Sequence, residues 1–130
     1  SFIKRNRMFS EWPDQALQAL ARQLSFVDFE RGQVIIEQDQ PNEAFFLIYE
    51  GQCDVHRGGE LYATLGTGDF FGEISLLQGV PAVARVTANT PSRCLKLDRD
   101  EFLRFVTEDA LTGIAIETAM EHRVHQDFSG

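Results

Sequence analysis

The 130-residue sequence predicts a mainly β domain: an eight-stranded antiparallel β-roll, or jelly-roll, with an N-terminal helix, a short helix within the roll and helices at its C-terminal end. Three observations carry this. Short apolar runs of strand length recur between Phe26 and Leu97, with turn residues between them. Helical periodicity is confined to the two ends of the chain. In between, Gly72 sits where an apolar strand gives way to one turn of helix, Glu73-Ile74-Ser75-Leu76-Leu77. Many short strands with turn signals between them, flanked by helices, read as a β-roll or jelly-roll with helical ends.

Taken in order, Pro13 suits a first helical position, and Leu17, Leu20, Ala21 and Leu24 recur on one face of a helix over Pro13–Leu24. Strands are expected at Phe26–Phe29, Val34–Glu37, Ala44–Tyr49, Cys53–His56 and Leu61–Leu65. Arg57-Gly58-Gly59-Glu60 is a two-residue hairpin. Asp39-Gln40-Pro41-Asn42 and Glu50-Gly51 mark other turns. After the strand that ends at Gly72, two more are expected at Val83–Ala88 and Cys94–Leu97. Asp98 with Glu101 resembles a capping box that starts a helix, docked by Phe102, Phe105 and Val106. A last helix is expected over Ala110–His122, with Leu111, Ile114, Ala115 and Met120 in need of a surface. The chain thus reads as a single domain over 1–130: a helical segment 1–25, the roll 26–98, and C-terminal helices 99–124. No repeat or low-complexity tract interrupts it.

Composition narrows the function. A hydrophobic share of 43% and a charged share of 25% suit an ordinary globular domain. The net charge of −8 argues against nucleic-acid binding by this segment. Lys4, Arg5 and Arg7 form one basic cluster, read as a solvated lead-in to the first helix. No run is long enough to span a bilayer and no signal peptide is evident, so a cytoplasmic setting is expected. The chain opens at Ser1 rather than methionine, which reads as a piece of something larger. Cys53 and Cys94 sit in separate strands without metal spacing and are read as free, buried thiols.

The chemistry concentrates at Gly72. A strand-to-helix corner offers backbone N–H groups and a helix N-terminus to an anion, and glycine lets a ligand approach the main chain. Glu73 beside such a site would repel a phosphate unless its carboxylate had another task, such as accepting a sugar hydroxyl. Phosphate on the amides and ribose on Glu73 describe a nucleotide whose phosphate lies close to its sugar.

Phe71-Gly72-Glu73 with Leu76-Leu77 and Pro81-Ala82-Val83-Ala84-Arg85-Val86 resembles the phosphate-binding cassette of the cyclic-nucleotide-binding domain family, here over 70–84. The resemblance extends through Gly32-Gln33-Val34-Ile35-Ile36, Phe45-Phe46-Leu47-Ile48, Glu50-Gly51 and Arg93 to Arg99 with Phe102. It covers roughly nine tenths of the chain, and several spaced motifs agree. It is similar to the sensor domains of protein kinase A regulatory subunits and catabolite activator protein. The resemblance implies ligand contacts at Phe71, Gly72, Glu73, Ile74, Ser75, Ala82 and Val83, with Tyr62 and Ala63 where the barrel wall meets the base. It implies cAMP or cGMP as ligand, no other cofactor, no metal and no catalysis. Tyr62 has two readings, stacking on a purine or ordinary strand packing, and the second is the simpler.

At Ala82 the chain departs from the family, which carries there the arginine that pairs with the cyclic phosphate. Alanine offers neither charge nor directed hydrogen bonds. A charge-assisted hydrogen bond is worth about 1.5–3 kcal/mol, so binding should weaken roughly ten- to a hundredfold or more. Arg85 is the alternative phosphate cation, but three residues along a strand from Ala82 it belongs on the opposite face unless a bulge re-aims it. Asp39 stands where the family usually has a turn glycine, and Arg85 where it usually has Thr or Ser. An empty cassette loop is expected to face solvent, leaving room for a larger residue at Ala82.

Other chemistries find little support. His122 and His125 beside Glu121 read as a solvated helix end rather than a metal site. His56 stands alone, without the clustered His and Glu ligands of a jelly-roll enzyme. Neither cysteine lies where its pKa would fall, and no nucleophile–base pairing offers itself. The expectation is a non-enzymatic regulatory domain of signal transduction. It binds cyclic nucleotide weakly or atypically and controls an attached output domain outside this chain. The alternative is a binding-deficient domain of the same fold, used for intramolecular contact or for a homodimer through the C-terminal helix.

Overall fold

The computed structural model describes residues 14–108. Helix α1 (Asp14–Gln23) leads into β1 (Ser25–Phe29), β2 (Val34–Ile36), β3 (Ala44–Glu50), β4 (Cys53–Arg57) and β5 (Glu60–Leu65). Strand β6 (Phe70–Phe71), helix α2 (Glu73–Gln78), β7 (Arg85–Ala88), β8 (Ser92–Asp98) and helix α3 (Arg99–Glu108) follow. The eight strands form two antiparallel four-stranded sheets, ordered β1-β8-β3-β6 and β2-β7-β4-β5. The expected β-roll is the observed architecture, with helices at its ends and at the Gly72 corner.

The first sheet is covered on both faces. Ala44, Phe46 and Ile48 of β3 point into the core between the sheets, whereas Phe45 and Leu47 point into a second core beneath the helices. That double burial explains why Ala44–Ile48 is an unbroken apolar run rather than an alternation. Leu17 and Leu20 of α1 and Phe102 of α3 close the second core, and Phe102 stacks on Phe45 with ring centroids 5.0 Å apart. The second sheet has one wet face. Cys53, Val55, Val86 and Ala88 are buried, while Asp54, His56, Arg85 and Thr87 between them are half-buried or exposed. This is the period-two pattern of a sheet solvated on one side.

Several expectations are adjusted. In α1 the buried stripe is narrower than the periodicity suggests: Ala21 is exposed. Strand β7 begins at Arg85 rather than Val83, because the backbone of Ala82 bonds the turn at Asp39–Gln40 instead of a ladder. No capping box forms as expected around Asp98, which still pairs with Ala44 in the sheet while the Glu101 carboxylate accepts from Arg104. The glycine hairpin is as expected: Arg57 lies opposite Glu60, with Gly58 at φ 59° and Gly59 at φ 84°, the mirror-image turn that matches strand twist. Pro13, the basic cluster Lys4, Arg5 and Arg7, the expected Ala110–His122 helix and His125 lie outside the described residues. Among the described residues no helix is long and apolar enough to cross a membrane.

Candidate functional site

The corner is built by three close backbone relationships. Gly72 has φ 94° and ψ −9°, and a Cβ there would lie 2.6 Å from the Ala44 carbonyl oxygen. Only glycine meets both conditions. Asn42 then holds α2 against β3. Its Nδ2 donates to the carbonyl oxygens of Ala44 at 2.9 Å and Gly72 at 3.0 Å, and to Ser75 Oγ at 3.1 Å. Its Oδ1 accepts from the Ala44 N–H at 3.3 Å. After α2, the N–H groups of Gly79 and Val80 both donate to the Ser75 carbonyl, which turns the chain back toward β7. The returning segment is fixed at Ala82, whose N–H donates to the Gln40 carbonyl at 2.9 Å while its own carbonyl accepts from the Asp39 N–H at 2.8 Å.

A cleft opens between this corner and the inner face of the second sheet. Its walls are Ile36, Val55, Leu65, Ala84 and Val86, and its floor is Phe71, Gly72, Ile74, Ser75, Ala82 and Val83, with Asn42 at one side. The free interior is narrow, about 50 Å³, room for a few water molecules. Among the described residues, the lining contains two polar side chains, Asn42 and Ser75, and no charged one.

Six of the expected ligand residues therefore converge: Phe71, Gly72, Ile74, Ser75, Ala82 and Val83 line one cleft. Glu73 lies between two of them and is fully buried. Tyr62 and Ala63 do not border the cleft. Tyr62 is 39% exposed, and Ala63 packs on the rim of the inner core. Arg85 faces outward, with Nε 2.9 Å from Glu37 Oε1, in a groove shared with Asp54, His56 and Thr87. The expectation of a solvent-facing cassette loop fails at Ala82, which is 4% exposed and packs with Ile36, Ala84 and Val86 in the inner core. Arg99 borders a separate groove with Glu43, Leu76 and Val80 rather than the cleft.

Asn42 is the residue that sequence reasoning missed. It was legible only as a turn residue, since two of its partners lie 30 and 33 positions away. Cys53 and Cys94 are free and fully buried on facing sheets, within the inner core. The Cys94 thiol is pushed well above the ordinary thiol range, first by its hydrogen bond to Cys53 and then by burial, whereas the same hydrogen bond lowers Cys53, against the expectation that neither thiol would fall. Among the described residues no group of three or more His, Cys, Asp or Glu side chains is arranged to hold a metal ion.

The family description "Cyclic nucleotide-binding domain" matches residues 26–109. The cAMP-dependent protein kinase regulatory subunit of Yarrowia lipolytica is 34% identical over 107 residues, which span 81% of this chain and 28% of that protein. The regulatory subunit of a cAMP-independent protein kinase A from Trypanosoma brucei superposes with a TM-score of 0.87 at 26% identity, covering 98% of this chain and 45% of that one. The corresponding subunit from Trypanosoma cruzi, solved bound to guanosine, gives 0.83 at 26% identity over 98% of this chain and 44% of that one. This chain thus spans less than half the length of each of these relatives.

Proposed function

Because this chain belongs to the cyclic nucleotide-binding domain family, we propose that it is a non-enzymatic, cytoplasmic regulatory sensor whose ligand enters the cleft at the Gly72 corner. Occupancy would shift the population of states of the surrounding helices and so control an output domain outside this chain, by no more than the ligand's differential affinity for those states. cAMP and cGMP bind weakly or atypically in this reading. The observation that carries it is the pairing of Ala82 inside the cleft with Arg85 outside it on Glu37. An anion at the cassette meets no cationic side chain among the described lining residues, and the Ala82 N–H is already given to Gln40. The cAMP-independent description of the T. brucei subunit supports separating this fold from cAMP dependence. Calorimetric titration with cAMP and cGMP tests the reading: submicromolar binding of either one overturns it.

A second reading has its own support. Ala82, Ala84 and Val86 belong to the inner core, and the cleft interior is small. A domain that binds no nucleotide and serves intramolecular contact or dimerisation is consistent with both. Sedimentation at high concentration tests the dimer, and monomer alone would remove it.

A further inference from the structure

The polar equipment of the cleft says which form of ligand it takes. Asn42 Nδ2 has two hydrogens and three acceptors within reach, the carbonyls of Ala44 and Gly72 and the Ser75 hydroxyl oxygen. Its donors are therefore fully committed to the fold. Ser75 is the reverse case. Its hydroxyl oxygen accepts from Asn42, while its own hydrogen has only the Gly72 carbonyl at 3.4 Å, a long and weak contact. The side chain is 6% exposed and lines the cleft floor. A buried hydroxyl with a weakly held hydrogen, facing a cleft, is a donor waiting for an acceptor. It carries no charge, and among the described residues no charged side chain joins it in the lining.

A phosphate entering here would leave water for one neutral hydroxyl, apolar walls and the backbone N–H groups at the start of α2, with no cationic side chain among the described lining residues to neutralise it, a poor exchange for a full negative charge. A neutral ligand loses far less on entry, and it gains the same hydroxyl and the same apolar contacts. We propose that the cleft selects an uncharged nucleoside over the cyclic nucleotide built from it, with Ser75 donating to the ligand and Asn42 holding the Ser75 oxygen in place. The narrow interior takes part of such a ligand, and the rest lies across the mouth. This inference rests on the sensor reading and gives it a ligand class.

The test is titration of the 130-residue chain with adenosine, guanosine, cAMP and cGMP, each up to millimolar concentration. The expected result is that at least one nucleoside binds about tenfold or more tightly than its cyclic phosphate. Its affinity should be indifferent to salt, because no ion pair forms. Ser75→Ala should weaken that nucleoside several-fold, with the ligand-free melting temperature and circular dichroism checking that the variant folds. A cyclic nucleotide binding as tightly as its nucleoside, both more weakly than micromolar, overturns the inference and leaves the sensor reading standing. No binding by any of the four overturns both and favours the interaction domain. Undiminished nucleoside binding by a folded Ser75→Ala variant removes Ser75 as the donor and overturns the assignment.

Discussion

Asp39 and Ala82 are held together by their backbones: the Asp39 N–H donates to the Ala82 carbonyl at 2.8 Å, and Asp39 itself sits at φ 67°. Among the described residues it is the one non-glycine residue with a positive φ. The turn that places the cassette loop is therefore strained at the position where the sequence departs from the usual glycine. Asp tolerates this conformation better than most residues because its short polar side chain can bond locally.

From that relationship comes the first expected outcome. Asp39→Val should destabilise the domain by about 1–2 kcal/mol, since a β-branched residue resists the left-handed region. Asp39→Gly should be close to neutral, because relief of strain is offset by the greater freedom of glycine when unfolded. Urea midpoints of the two variants check this. Equal effects would mean that the turn re-forms with another geometry.

Docking of α3 should depend heavily on one ring. Phe102 is 1% exposed and stacks on Phe45 within the core beneath the helices. Phe102→Ala should cost about 3–5 kcal/mol, as large-to-small changes at buried aromatics do. Thermal unfolding reads the effect, and a loss below about 1 kcal/mol would mean the helix contributes little to the fold.

Alkaline pH should weaken the fold through Cys94. Its thiol is raised in the folded state by the hydrogen bond to Cys53 and by burial, so the unfolded chain gives up that proton first. The contribution is intact below the unfolded thiol value of about 8.5 and declines as pH rises above it; Cys53, lowered by the same hydrogen bond, works in the opposite sense up to that value, so the decline near it stays below the roughly 1.4 kcal/mol per unit of one thiol. Denaturation midpoints between about pH 8.5 and 9.5 should fall, and fall less steeply in Cys94→Ala. An unchanged slope in that variant would assign the loss to other groups.

Much of this was legible in the sequence because strand periodicity decides facing. Counting along the expected Val83–Ala88 strand placed Arg85 on the face opposite Ala82, and its pairing with Glu37 on the outer face agrees, although β7 itself begins only at Arg85. Gly72 was legible as a corner, although only the structure shows the Ala44 carbonyl it approaches. Tyr62 was harder. The β4–β5 register steps from Val55–Ala63 to His56–Leu61, a bulge at Tyr62 that breaks the alternation on which facing depends. Asn42 was out of reach for another reason. Its contacts join segments far apart in the chain, and nothing local in Pro41-Asn42-Glu43 distinguishes a clamp from an ordinary turn.

Restoring the arginine separates what the cassette lacks from what it retains. Ala82 lines the cleft, so the side chain of Ala82→Arg would project toward a bound phosphate. It would also crowd a position that is 4% exposed and packed against Ile36, Ala84 and Val86. The unliganded variant should therefore be less stable by about 1–3 kcal/mol, the usual cost of overpacking. Cyclic nucleotide should offset that cost, because a charge-assisted pair contributes about 1.5–3 kcal/mol, or roughly ten- to a hundredfold in affinity. The signature is a melting temperature that is lower than that of the parent chain alone and rises with cAMP or cGMP, while the parent scarcely responds. Raising the salt concentration should shrink the rise, since it depends on an ion pair at a cleft open to water. Adding Glu73→Gln should reduce the gain further if the carboxylate receives the sugar hydroxyl. A folded variant with no response to either nucleotide would mean that the remaining cassette, including the Ala82 N–H held by Gln40, no longer has the geometry to hold a phosphate.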